Sequence, residues 1–234
     1  MRPVKSSAVQ QGKKPLVHII LLNWNNYDLT KDCLESLKKV KYPNFKTIVV
    51  DNGSASDVPK LKELKRKGFG FVLIENSKNM GFAEGNNAGI RHALKNNADY
   101  ILLLNNDTVV HPEFLDHLVS EAEKDKRTSI VSPLIYYYDE PKKVWYAGAS
   151  FNFWRGDARH RHLNEIDKGQ FKEVTNTDYG SGCAMLVRKE VFGNVGLLDP
   201  YFFLYYEESD FCIRAKRQGY GIKVVPASKI WHKV

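Results

Sequence analysis

The chain has 234 residues, 26% charged and 43% hydrophobic, the balance of one folded α/β domain or at most two small ones and not of a disordered segment. Its 35 Lys and Arg against 27 Asp and Glu give a net charge of +8, which favours anionic partners: nucleotides, nucleic acid or an anionic membrane surface. Three scattered cysteines (Cys33, Cys183, Cys212) argue against a disulfide framework and a Cys-x-x-Cys zinc site and for a reducing compartment, and no apolar run is long enough to cross a membrane.

Residues 1–15 are polar and basic without an apolar centre, and read as a flexible lead-in, not a signal peptide. Residues 16–22 form a continuous apolar run, predicted as a buried first strand ending at Asn23-Trp24-Asn25-Asn26. A helix follows, with Leu34, Leu37 and Val40 on one face and Lys31, Lys38 and Lys39 on the other. Residues 45–50 are a second strand closing on the turn-forming Asp51-Asn52-Gly53-Ser54. Residues 58–67 are a short, very basic helix; such a run is usually a solvated face, and would also suit an anionic leaflet. Residues 71–74 are a third strand, and Asn79-Met80-Gly81-Phe82-Ala83 opens a helix reaching about Asn97. Residues 100–104 are a fourth strand running into Asn105-Asn106-Asp107-Thr108, and Pro112 starts the next helix. Beyond Ser132 the pattern changes. Residues 145–153 alternate like an edge or hairpin strand, and 155–169 read as a mobile basic loop of the kind that forms lids. Residues 180–187 read as a tight bend entering a strand, 207–218 as a helix and 222–225 as a last strand. The strand–helix alternation predicts a Rossmann-like, mostly parallel sheet flanked by helices in one domain, with a nucleotide half at 16–132 and a mixed half at 133–234.

Three predicted strand ends therefore meet at one edge: Asn23/Trp24, Asp51/Asn52 and Asn105/Asn106/Asp107. In open α/β sheets ligands bind beyond the carboxyl ends of the strands. A lone carboxylate among amide carbonyls suits a hard divalent cation that also holds a phosphate. An aromatic ring and a second carboxylate suit a base and ribose. The plain alternatives are an Asx-rich turn that stops a strand, a core tryptophan at Trp24, and a solvated helix N-terminus at Glu207, Glu208 and Asp210. No G-x-G-x-x-G follows the first strand, and neither G-x-x-x-x-G-K-[S/T] nor H-E-x-x-H occurs. That argues against a dinucleotide dehydrogenase, a P-loop NTPase and a zincin protease.

Five segments taken in order are more specific than any one of them: residues 19–25, 49–54, 79–83, 104–107 and Tyr206-Glu207-Glu208-Ser209-Asp210. On them the chain, from about Val17 onward, resembles the inverting family 2 glycosyltransferases of the GT-A fold, and most of all their rhamnosyltransferase-like branch. The resemblance implies transfer of a sugar from a nucleotide diphosphate, dTDP-rhamnose or a UDP-sugar, to a glycan or lipid-linked acceptor in cell-envelope polysaccharide synthesis. It implies a cytoplasmic protein, with peripheral contact at the inner face of the membrane, and Mn2+ or Mg2+ as cofactor. Donor contacts fall to Asn23, Trp24, Asn25, Asp51, Asn79, Gly81 and Asn106, and the metal to Asp107, Asn105 and His232. The sequence departs from the family's Asp-x-Asp pattern, since Asn105 stands at the first position and leaves one carboxylate. Glu208 matches the Asp of the family's Glu-Asp pair and is the expected base, one methylene longer. Gly182, Tyr205, Tyr206 and Glu207 fall on the acceptor side.

Two other classes compete. A nucleotidyltransferase would want a Gly-rich basic loop after the first strand, and residues 23–28 contain no Arg or Lys. A non-catalytic module binding nucleic acid or carbohydrate would exploit the charge, but the basic residues do not interleave with aromatics as stacking platforms do, so nucleic acid is not an expected partner.

Overall fold

The computed structural model of the protein describes residues 14–152, 154–155 and 157–234. Of the expected lead-in only Lys14 and Pro15 lie within them, and Phe153 and Gly156, in the expected strand and loop, lie outside. The first half is built as the apolar spacing dictates: β1 (Val17–Asn23), α1 (Tyr27–Leu37), β2 (Phe45–Asn52), α2 (Asp57–Arg66), β3 (Phe71–Asn76), α3 (Gly81–Lys95) and β4 (Tyr100–Asn105). β1 is buried along its whole length apart from Leu22, as a central parallel strand covered on both faces must be. It pairs in parallel with β2 on one side and β4 on the other, and β2 pairs in parallel with β3. The register sets Asn23 beside Asp51, Leu22 beside Asn105 and Asn52 beside Asn76, so the strand ends lie level along one edge.

The second half is more divided than its sequence suggests. After β5 (Thr108–Val110) and α4 (Phe114–Lys124) come β6 (Thr128–Tyr137), β7 (Val144–Tyr146), β8 (Ala149–Asn152), β9 (Asp157–His160), β10 (Thr175–Asn176) and β11 (Ala184–Arg188). α5 (Lys189–Val195), α6 (Glu207–Arg217) and β12 (Gly221–His232) complete the described fold. The large sheet runs β10-β12-β6-β11-β4-β1-β2-β3, with β5 on β12 and β7 on β6. Within it β11 is antiparallel to both β4 and β6.

Three expectations are corrected. The single strand over 145–153 is two: β7 pairs with β6, then the chain turns out of the sheet and β8 pairs with β9 instead. The basic stretch from 155 is not irregular throughout, because residues 157–160 form β9 of that hairpin, while 161–169 is largely turn and Arg161 donates to the Asn176 carbonyl at 2.7 Å. The last strand is three times the predicted length and carries the chain to His232. The basic helix α2 is a solvated face, its charges partly taken by Lys62–Glu75 and Arg66–Glu63 ion pairs of 2.9 and 2.8 Å. All three cysteines are buried and unbridged. No helix among the described residues is long and apolar enough to cross a membrane.

Candidate functional site

The site begins with Asn23, a fully buried amide at the end of β1. A buried amide must have its hydrogen bonds met by protein. Its Nδ2 donates to Asp51 Oδ1 (2.8 Å), Asp57 Oδ2 (3.1 Å) and Ser54 Oγ (3.2 Å), and its Oδ1 accepts from Thr30 Oγ1 at 2.7 Å. Asn106 Nδ2 in turn donates to Thr30 Oγ1 at 2.8 Å. One network thus ties the ends of β1, β2 and β4 to α1 and α2. Asp51 is 1% exposed and its Oδ2 accepts the Ser54 N–H. Asn25, at a left-handed φ of 51°, accepts the Ala55 N–H at 2.9 Å and folds the β1 end over the β2 turn. Trp24, between these two anchored amides, is 53% exposed and is not core.

The next loop is organised by a residue that the sequence placed at the edge without a role. Asn52, 2% exposed, donates to Asn79 Oδ1 (2.9 Å) and the Gly81 carbonyl (3.1 Å) while accepting from Asn76 Nδ2 and the Met80 N–H. Its signal was its place at a strand end beside Asp51. Asn79 Oδ1 also accepts the Gly81 N–H, so the Asn79 expected at the donor braces the loop as well. Gly81 opens α3 at φ +79°, and a Cβ there would lie 2.6 Å from the Phe203 carbonyl oxygen. The same oxygen accepts the Phe82 N–H at 2.6 Å. The donor-side loop is therefore seamed directly to the aromatic segment 200–206.

Asp107 follows β4 on a turn fixed by its neighbours, the Asn105 N–H donating to the Cys183 carbonyl (2.8 Å) and the Thr108 hydroxyl to the Asn105 carbonyl (2.7 Å). β12 pairs with β5 so that His232 lies beside Thr108. His232 Nε2 is 3.1 Å from Asp107 Oδ1, yet that buried oxygen makes no hydrogen bond. A carboxylate and an imidazole that close without bonding each other fit a shared divalent cation. Among the described residues no group of three or more His, Cys, Asp or Glu side chains gathers. A divalent cation held at this pair would need its remaining ligands from substrate oxygens and water.

Glu207 and Glu208 begin α6, preceded by Tyr205 and Tyr206, both left-handed at φ 71°. Glu207 is 3% exposed, and burial followed by the neighbouring Glu208 charge raises its carboxyl above the ordinary range. Burial raises Glu208 too, opposed by the N–H groups of Glu208, Ser209 and Gly182. Each carboxyl keeps a buried Oε2 with no hydrogen-bond partner. Gly182 connects the two carboxylate sets: a Cβ on it would lie 3.7 Å from Glu208 Cδ, and the next residue, Cys183, bonds Asn105. Tyr205 and Tyr206 are 70% and 55% exposed, so with Tyr201 and Phe203 they form an open aromatic rim and not core. The structure thus brings Asp107, His232, Gly182, Glu207 and Glu208 to one edge beside Trp24 and the Asn23–Asp51 network.

The comparisons agree with this architecture. GalNAc-T7, solved with UDP, GalNAc and Mn2+, matches with a TM-score of 0.78 at 17% identity, over 95% of this chain and 44% of that one. The mannosyltransferase PcManGT of Pyrobaculum calidifontis, solved with GDP-Man and Mn2+, matches at 0.70 and 16%, over 95% and 58%. Both show the GT-A fold. In sequence, the low-salt glycan biosynthesis hexosyltransferase Agl10 of Haloferax volcanii is 28% identical over 92% of this chain and 66% of its own length. The dTDP-rhamnosyl transferase RfbF of Shigella flexneri is 26% identical over 85% and 63%. The rhamnosyltransferase WbbL of Escherichia coli K12 is 28% identical over 93% and 83%. The chain therefore spans about two thirds of the length of the first two. Residues 18–196 match the family described as Glycosyl transferase family 2, and the chain belongs to that family.

Proposed function

We propose that the protein transfers a sugar, with inversion, from a nucleotide diphosphate to a hydroxyl of a glycan or lipid-linked acceptor in cell-envelope polysaccharide synthesis. The observation that carries this is one sheet edge with two sets of buried, unsatisfied carboxylate oxygens, Asp107 beside His232 and Glu208 beside Glu207. A transferase of this kind needs two such sets, one for the leaving diphosphate and one for the incoming hydroxyl. The rhamnosyl relatives support dTDP-rhamnose as donor, and the neighbour solved with UDP keeps a UDP-sugar in view.

Asp107 and His232, with Asn105, would hold Mn2+ or Mg2+. When bound, the cation supplies Lewis-acid stabilisation of the charge that grows on the departing diphosphate. Trp24 offers an exposed ring face to the base, and Asp51, Asn23, Asn25, Asn79, Gly81 and Asn106 shape the donor edge. Glu208 accepts the proton of the acceptor hydroxyl as its oxygen bonds the anomeric carbon and the bond to the diphosphate breaks. Two adjacent buried carboxyls resist carrying two charges. The charge on one carboxyl therefore favours the protonated form of the other. Tyr205 and Tyr206 offer the acceptor sugar flat apolar faces with polar hydroxyls. The basic face of α2 suits peripheral contact with an anionic leaflet on the cytoplasmic side.

The test is to incubate the protein with dTDP-rhamnose and with UDP-sugars, with and without Mn2+, alongside candidate acceptors. Release of a nucleoside diphosphate and a glycoside of inverted anomeric configuration supports the reading. Release of pyrophosphate points to nucleotidyl transfer. A salt-sensitive gel shift with single-stranded nucleic acid and no donor turnover points to a binding module.

A further inference from the structure

A metal-holding imidazole usually has its second nitrogen anchored by a carboxylate or a carbonyl, which fixes the ring. His232 lacks that anchor: its Nδ1 is buried without a hydrogen-bond partner. The ring is braced by packing instead. The Trp145 indole, on β7, meets it edge-to-face at 4.6 Å between centroids and 79° between planes. Trp145 also meets His160, on β9, at 4.7 Å and 76°. His160 is itself fixed, with Nδ1 3.1 Å from the Trp145 carbonyl oxygen and the Tyr146 ring 5.1 Å away. One indole is therefore wedged between two imidazoles, one from the large sheet and one from the β8–β9 hairpin.

We propose that Trp145 is a positioning residue for His232: clamped by His160, its ring sets the imidazole rotation that aims Nε2 at Asp107 Oδ1. The role rests on the reading of Asp107 and His232 as cation holders. It also gives the hairpin a task, since His160 on β9 reaches His232 through this stack. Aromatic pairs of this geometry hold orientation through the ring quadrupole, which an aliphatic side chain of similar bulk does not reproduce.

The experiment measures Mn2+ binding to the full chain by electron paramagnetic resonance, with Mn2+ alone and with dTDP or UDP added. Trp145→Leu should weaken Mn2+ binding roughly 10- to 100-fold, as loss of a ligand-orienting neighbour does, and Trp145→Phe should restore most of it. In a His232→Ala background Trp145→Leu should add nothing, because the indole acts through the imidazole. The His232 ring protons should also lose their indole ring-current shift in Trp145→Leu by NMR. Wild-type Mn2+ binding in Trp145→Leu, or a further loss on top of His232→Ala, overturns the role. Should Trp145→Leu not fold, full-strength Mn2+ binding by Trp145→Ala, or a Trp145→Phe variant that binds as weakly as His232→Ala, overturns it as well. Equal Mn2+ binding by wild type and His232→Ala overturns the cation reading itself, and this role with it.

Discussion

Replacing Gly81 by Ala probes the seam between the two halves of the site. At φ +79° any L side chain is strained, at a cost of about 1–2 kcal/mol. The added Cβ would sit 2.6 Å from the Phe203 carbonyl oxygen and 2.8 Å from its ring, so the backbone of the aromatic segment must retreat. Retreat breaks the Phe82 N–H bond to that oxygen, worth about 1 kcal/mol net. The sum is about 2–3 kcal/mol, and at about 2–4 °C per kcal/mol for a chain of this size the melting midpoint should fall by about 4–12 °C. The control is Gly193→Ala, within α5, where a Cβ meets nothing within 4 Å and helix propensity favours Ala. Differential scanning calorimetry of both variants checks the sum, and donor KM should rise in Gly81→Ala alone. A Gly81→Ala protein melting within a degree of wild type would refute the seam.

Three further outcomes follow from the two carboxylate sets. Asp107→Ala should abolish divalent-dependent nucleotide binding, read by calorimetry with and without Mn2+. Glu208→Gln should leave donor affinity intact while kcat falls roughly 10²–10⁴-fold, the usual worth of a positioned base, whereas Glu207→Gln should cost less; near-wild-type turnover in Glu208→Gln moves the base elsewhere. Burial raises both Glu207 and Glu208 above the ordinary 4.5, so the folded chain holds their protons more tightly than the unfolded one. Their contribution to stability is then full below that range and lost as pH rises through the raised values, about 1.4 kcal/mol for each tenfold change in proton affinity. Urea denaturation between pH 4 and 8 should show this fall in wild type and a shallower one in Glu207→Gln.

The first half of the fold was legible because its central strands are buried on both faces, so residues 17–23 and 100–105 read as apolar runs with polar tips. The tips that carry Asp51 and Asp107 were therefore visible. Asn52 was harder, since nothing local separates an amide that braces a loop from one that ends a strand. The second half misled where pairing is decided at a distance. Residues 145–153 alternate throughout, yet only the partners β6 and β9, chosen by tertiary context, show that the run divides. The aromatic run from 201 to 206 carries no period that separates core from cleft, and its exposed rings, with two left-handed tyrosines, appear only in the fold. Trp145 and His160 carried no motif, and their meeting with His232 depends on three separate strands.

The reversed strand β11 bears on how the chain acquires its activity. β1 and β2, and β2 and β3, pair with strands close along the chain, whereas β1 must find β4, β11 must find β4 and β12 must find β5 and β6 across long intervening segments. Such returns form slowly because long loops must close before their contacts repay the lost entropy. Only the Asn23–Asp51 corner is therefore local, and Asp107, Gly182 and His232 all reach it through long closures. On the proposed roles, a chain with the local corner formed and the distant pairings open would offer the base a place and the diphosphate none.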